Sequence, residues 1–570
     1  MAPQRRSRPS EPPRKGPMKF SQVRGLAFAL FLASAASQAG AQQPPSASTP
    51  PAPTPPAAAV PDTISSPPHP TPDPSPLLEA QQLFRKGELA ATVEKYQAIL
   101  AKEPKSTLAY AGLARVYLKQ KKVDDAAAAA KSAIDADAAS PAAHVALGEV
   151  YFRQGNLIQA EHEFLGVVQK NANLARANYG LARVYFASSF YFHGKIQIDI
   201  AHKLDPDDPE IRRRWIGTLN FKERLAALKG YLEGETDDSD DEREHMESAL
   251  ASMQEQDEQH RKGCRLTSTA KSTDMKLERL MRDANHIRGI GLRVELNGSG
   301  STLLLDTGAS GILIDRRFAE KAGVKRVATS DVHGIGDKGP VGGYLGIVDS
   351  IKVGDIELQG CHVHVVETRS VAEGEGLIGA DVFSNFLVDI DIPNYRFRLS
   401  PLPPEPPPTA DHIALEKRFP GSERFHDRYI APEMKGYEPV FRFGHELLMQ
   451  TRVNDLPAKL FLIDTGAFSN TISPAAAKEA TKVRADSNIK VKGLNGAVKN
   501  VFTADELTLT FSHYRQPARD MVAFETTGIS ESTGTEVGGI LGFAMLHVMD
   551  IKIDYRDGLV DFGYDPNRFH

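Results

Sequence analysis

Cysteine is nearly absent from this chain: among 570 residues there are only Cys264 and Cys361. Two thiols cannot build a disulfide framework or most structural zinc sites. They could pair with each other, but the expectation is two buried free thiols. A formal charge of −5 leaves no basic excess for nucleic acid. No apolar run reaches membrane-spanning length, and Leu26–Ala36 is too short to cross a bilayer. GxSxG, HExxH and the phosphate-loop pattern are all missing, which removes the commonest serine, zinc and nucleotide chemistries.

What is present begins with an export pattern. Lys19 and Arg24 precede Leu26–Ala36, and the small residues Ala39-Gly40-Ala41 follow, so cleavage is expected before Gln42. Met18 would make an ordinary signal start. An uncleaved membrane anchor is the alternative, and with no cysteine after the run lipid attachment is excluded there. The implied location is periplasmic or secreted, with no stable membrane insertion after cleavage. Residues 42–76 are proline-rich and almost uncharged, an extended spacer.

From Leu77 a period of 34 appears. Leu113, Leu147 and Leu181 recur at that spacing, as do Tyr117, Tyr151 and Tyr185. Small residues at Ala114, Gly148 and Ala182 keep the same register, with Gly87 and Gly155 at turns between paired helices. The pattern resembles tetratricopeptide repeats over 77–220, an all-α solenoid that implies a groove for a protein partner. The acidic run Glu233–Glu244 reads as a solvated face within a helical linker, 221–265.

The second half carries a duplication. Leu303–Asp315 reads LLLDTGASGILID, and Leu460–Ile472 reads LFLIDTGAFSNTI. Each is preceded by an alternating apolar hairpin, turning at Asn297-Gly298 and Asn454-Asp455. Each is followed by two apolar residues and a glycine: Leu377-Ile378-Gly379 and Ile540-Leu541-Gly542. An apolar strand that delivers a carboxylate into a tight turn is costly unless the carboxylate has a partner. Two copies suggest that Asp306 and Asp464 meet.

These motifs resemble the compact, retropepsin-like aspartic proteases. The resemblance implies two all-β lobes, 266–400 and 412–570, joined by a proline-rich linker at 401–411. It implies catalytic Asp306 and Asp464, with Thr307, Gly308, Thr465 and Gly466 supporting the pair. Substrate contacts would come from Ala309, Ser310 and Ala467, and from Gly336 and Gly342 in a flap. Polypeptide is the implied substrate, and neither metal nor other cofactor is called for. Gly334–Gly339 also fits GxGxxG, but Pro340 and two further glycines stand where a nucleotide-binding helix would start. His362 and His364 share one face of an alternating strand and lack an obvious further ligand. Phe468, where the first copy has Ser310, sets the second loop apart. The expected function is an exported aspartic endopeptidase whose repeats recruit substrate or a partner. The alternative is a non-catalytic envelope scaffold whose lobes only bind peptide.

Overall fold

The computed structural model describes residues 75–566 apart from 235–237, 239, 260–262, 284–285 and 368–373. The export segment and the spacer up to residue 74 lie outside the described residues, as does part of the acidic run.

Eleven helices open the described chain, and the first nine are α1 (Pro76–Arg85), α2 (Leu89–Lys102), α3 (Thr107–Lys119), α4 (Val123–Ala136), α5 (Pro141–Arg153), α6 (Leu157–Lys170), α7 (Ala175–Ala187), α8 (Tyr191–Leu204) and α9 (Pro209–Ile216). The period is kept in three dimensions. Helices α3, α5, α7 and α9 begin 34 residues apart, and so do α2, α4, α6 and α8. The turn within each pair needs a left-handed residue, and Gly87, Lys121, Gly155 and Ser189 supply it at the same spacing. Phe164 packs where a Cβ on either Gly148 or Gly180 would stand, so the absence of a side chain there sets how closely α5, α6 and α7 approach.

The repeats are not an independent rod. Phe164, Leu181 and Phe190 share one apolar cluster with Leu448, Leu462 and Ile540 of the β region. Backbone joins them as well: Glu536 N donates to Arg153 O at 2.7 Å, and Thr535 Oγ1 donates to Phe152 O at 2.7 Å. The turns at Lys121, Gly155 and Ser189–Phe190 form the docking edge, with Lys121 paired to Glu531 and Phe190 bridged to Asp427. Past the proline-rich linker, helix Ala410–Arg418 packs back on α8, where His412 stacks on Phe192.

Among the described residues, lobe one holds a nine-stranded sheet and lobe two a ten-stranded one. A third, six-stranded sheet belongs to both. In it Phe386–Asp391 of lobe one pairs antiparallel with Met549–Asp554 of lobe two, from Leu387↔Asp554 to Asp391↔Asp550. The alternating C-terminal segment is therefore an interior strand that fastens the lobes. One apolar core runs through both, taking Leu305, Ile378 and Ile390 from the first and Ile463, Leu541 and Ile551 from the second.

The cysteines correct the sequence reading. They are not free thiols: Cys264 and Cys361 form a disulfide across a Cα separation of 4.3 Å. Arg265 pairs with Gln359 and Leu266 with Leu358, which brings Cys264 to the partner strand beside Cys361. A spacing of 97 residues carries no sign of that pairing. On the same strand His362 and His364 do share a face, and Ser252 Oγ lies 3.1 Å from His362 Nε2. Among the described residues no group of three or more His, Cys, Asp or Glu is placed to hold a metal ion.

Two buried carboxyls tie stability to pH. Burial pushes both Glu161 in α6 and Glu446 in lobe two up to about 7, with a Ser532 hydroxyl opposing the shift at Glu446. An unfolded glutamate titrates near about 4.3. Between those values the folded chain holds protons that the unfolded chain has released, so stability falls as pH rises through about 7. The melting temperature should drop between roughly pH 5 and pH 8, and a Glu161→Gln, Glu446→Gln double variant should lessen that slope, with Asp554, which burial also pushes up to about 7, keeping part of it. A wild-type melting temperature that rises over this range would contradict the assignment.

Candidate active site

Each lobe builds its half of the site from the same parts. Strand Ser299–Asp306 ends on Asp306, and strand Lys459–Asp464 ends on Asp464. The apolar-apolar-glycine segments lie parallel beside them, with Gly379 opposite Asp306 and Gly542 opposite Asp464. Both glycines are sterically required. A Cβ on Gly379 would stand 2.4 Å from Ala309 O, and one on Gly542 2.4 Å from Ser469 O.

The two turns interlock through their threonines. Thr307 Oγ1 donates to Ile463 O at 2.8 Å and accepts from Thr465 N at 3.0 Å. Thr465 Oγ1 donates to Leu305 O at 2.9 Å and accepts from Thr307 N at 3.1 Å. Both threonines are fully buried, so these four bonds are made out of reach of water. Gly308 and Gly466 face the opposite carboxylate. A Cβ on Gly308 would sit 2.7 Å from Asp464 Cγ, and one on Gly466 2.2 Å from Asp306 Oδ2.

The two carboxyls face each other closely enough that each acts on the other's titration. Gly308 N donates to Asp306 Oδ1 at 2.8 Å, while Gly466 N and Ala467 N both donate to Asp464 Oδ1 at 2.8 Å. Burial and the neighbouring Asp464 hold Asp306 well above the ordinary carboxylate range. Burial also raises Asp464, opposed by the amides of Ala467 and Gly466. One proton shared between the two is the consequence, since adjacent buried carboxylates do not both ionise.

The other expected contacts divide. Ser310 Oγ donates to Asp381 at 3.1 Å, which ties the first loop to the short helix after Gly379. Phe468 leaves no such bond in lobe two, and its exposed ring lies under the Arg282 guanidinium. Gly336 stands at the tip of the hairpin Lys325–Val332/Val341–Val353 with φ 135°, where a Cβ would be 2.3 Å from the Asn495 backbone. Asn495 belongs to the shorter hairpin of lobe two, so the two tips meet: Asn495 N donates to Ile335 O and Lys338 N to Asn495 O, each at 3.0 Å. Leu494, Val332 and Val341 pack on Leu313 and Leu377, the wall two residues before Gly379. Gly342 lies in an exposed stretch of that hairpin with open space around it, and no contact joins it to the aspartates.

Three titratable residues at the site carry no motif. Asp381 accepts from Gly311 N at 2.9 Å as well as from Ser310. Arg288 lowers the Asp306 carboxyl, and His445 does the same to Asp464. Burial holds the His445 imidazole below its usual value, opposed by Asp381 and the Gly308 backbone. Arg288 and His445 are equivalent positions. Gly291 pairs with Leu304 and Leu448 with Leu462, each partner two residues before its aspartate, and 291 − 3 = 288 while 448 − 3 = 445. Aligning the two copies past their hairpins would have exposed them as a basic pair.

The family described as "Aspartyl protease" matches residues 292–382 and again 449–544, and the one described as "Tetratricopeptide repeat" matches 77–144. These are two retropepsin-like lobes behind tetratricopeptide repeats. The UBA domain-containing protein Mud1 of Schizosaccharomyces pombe is 30% identical over 110 residues, 19% of this chain and 32% of Mud1. The matched stretch thus spans about a third of that relative's length. TTC0263, a thermophilic TPR protein of Thermus thermophilus, is 25% identical over 31% of this chain and 97% of its own, with a TM-score of 0.26.

The threonine lock gives a direct test. Thr465→Val keeps the shape but leaves Leu305 O and Thr307 N without their partner, at about 1–3 kcal/mol for each buried group. Urea melts should show that loss without a change of fold by circular dichroism. A variant as stable as wild type would mean the threonines do not join the lobes.

Proposed function

We propose that this chain is an exported aspartic-type endopeptidase that completes its catalytic pair within one molecule, with the repeats recruiting substrate or a partner. The observation that carries the reading is the meeting of Asp306 and Asp464 on interlocked Thr-Gly turns. In this arrangement the ionised carboxyl takes a proton from water as the oxygen attacks the scissile carbonyl carbon. The protonated carboxyl gives its proton to the carbonyl oxygen. The resulting tetrahedral species then collapses, breaking the C–N bond; the proton taken from water passes to the departing amine, and one hydroxyl of that species returns its proton to the other carboxyl, which restores the shared proton. Neither aspartate is assigned one role, because the proton belongs to the pair. The amides of Gly308, Gly466 and Ala467 fix the carboxyls while this happens.

The interlobe sheet and continuous core support pairing within a chain, since tethering replaces a concentration-dependent encounter. Export is supported by the tripartite N-terminal pattern and by the Cys264–Cys361 disulfide, a bond that persists in oxidising compartments. Among the described residues no helix is long and apolar enough to cross a membrane.

Asp306→Asn and Asp464→Asn proteins, assayed alone and mixed, test the pairing. With one dyad per chain each variant is inactive, the mixture stays inactive, and wild-type activity per mole does not change on dilution. Like-lobe pairing between chains would leave each single variant one intact dyad, so substantial cleavage by either one would overturn the reading.

A further inference from the structure

The inner face of the repeats is neutralised at one end and not at the other. Arg115 in α3 reaches Asp208 at 2.9 Å and Glu210 at 3.1 Å, across to α9 and the residue before it. Arg176 at the start of α7 pairs with Glu149 and, at 2.6 Å, with Glu210. Arg85 closes on Asp205 in the same way at 2.5 Å. The Arg85 and Arg115 contacts skip whole repeats, so the chain's own ion pairs neutralise that end of the groove.

Seven residues beyond Arg176 the pattern stops. The Arg183 guanidinium lies 3.8 Å from the Phe152 ring centroid and 5.6 Å from that of Tyr179. Arg214 in α9 lies 4.4 Å from the centroid of Phe186. Among the described residues neither guanidinium makes an ion pair or hydrogen bond, and the Arg183 charge disfavours the one on Arg214. Composition does not force this, since the chain has 73 acidic residues against 68 Lys and Arg. Arg183 is half-buried and Arg214 exposed, so both can be reached. The third wall comes from lobe two: Arg183 Nη2 would lie 3.5 Å from a Cβ on Gly534.

We propose that Arg183, Arg214 and the Gly534 loop form an exosite for carboxylate groups of a polypeptide substrate. Two guanidiniums held against aromatic faces are pre-aligned for planar, bidentate carboxylate binding, and an incoming acid relieves their mutual repulsion. Gly534 leads through strand Val537–Gly542 to the residue opposite Asp464. Those eight positions span at most about 27 Å of extended chain. A substrate with acidic residues within about eight positions of the scissile bond could therefore engage both places at once. That consequence rests on the endopeptidase reading, whereas the binding does not.

Binding is measured without cleavage, on the full Asp306→Asn protein, by fluorescence anisotropy with labelled Ser-Gly-Asp-Glu-Asp-Glu. A C-terminally amidated form and an Asn/Gln analogue with a free terminus separate side-chain from terminal carboxylates. At least one carboxylate-bearing peptide should bind about tenfold or more tighter than the amidated Asn/Gln peptide. That preference should weaken as salt screens it, and be lost with Arg183→Gln plus Arg214→Gln. It should persist in Arg515→Gln, a remote charge control, and be weakened but not lost in the Arg183→Lys, Arg214→Lys protein, which keeps the charge without the bidentate fork and guards against misfolding. Equal binding of charged and neutral peptides, a preference that ignores salt, or one that survives the double glutamine change would each overturn the exosite. None of these outcomes bears on whether the aspartates cleave.

Discussion

The crossed hydrogen bonds between Thr307 and Thr465 are the constraint on which the rest of the site depends. Each hydroxyl holds two backbone groups of the opposite lobe, and all four partners are buried. The lobes must therefore meet in one register, and that register brings Asp306 against Gly466 and Asp464 against Gly308. A side chain at either glycine would force the carboxyls apart, and a slip of one residue would turn both aspartates away. The remainder of the lobes serves this junction. The shared six-stranded sheet and the common core set the approach, and the glycines opposite each aspartate leave room for the turns.

The two halves of the site share a backbone plan but not a chemical surface. Ser310 is bound to Asp381, while Phe468 faces outward beneath Arg282. Arg288 beside Asp306 has the titratable His445 as its counterpart beside Asp464. The repeats add to this asymmetry, because they pack on lobe two and connect by backbone to the segment that enters strand Val537–Gly542. The groove that the repeats imply for a protein partner is neutralised at one end by ion pairs around Arg115 and Arg176. Its remaining polar end lies against the protease lobe.

Much of this was legible in the sequence because it rests on local rules repeated in the chain. The 34-residue period returned as helix starts and left-handed turns, even where Lys121 and Ser189 replace the glycine of the neighbouring repeats. The DTGA segments, their hairpins and the later glycines returned as equivalent strands in the two lobes. What was hidden depends on contacts between segments far apart in the chain. The Cys264–Cys361 bond follows from a two-residue strand pairing, which no composition or spacing encodes. Arg288 lies in a strand whose other residues read only as apolar alternation, and His445 in the turn just before strand Glu446–Val453. The docking of the repeats uses side chains such as Phe190 and Leu460 that look like ordinary core residues. Gly342, in the same glycine-rich run as Gly336, sits in open space on the hairpin.

The central claim is that the paired aspartates hydrolyse peptide bonds, and cleavage of an unbiased peptide library across pH tests it most directly. Mass spectrometry in ¹⁸O-water should find internal cuts, with solvent oxygen in the new C-terminal carboxylates at the first turnover. Activity should extend above the ordinary carboxylate range, because burial keeps the shared proton in place, and then fall as that proton is lost. An intact library at every pH, or cuts that persist in the Asp306→Asn protein, would contradict the account.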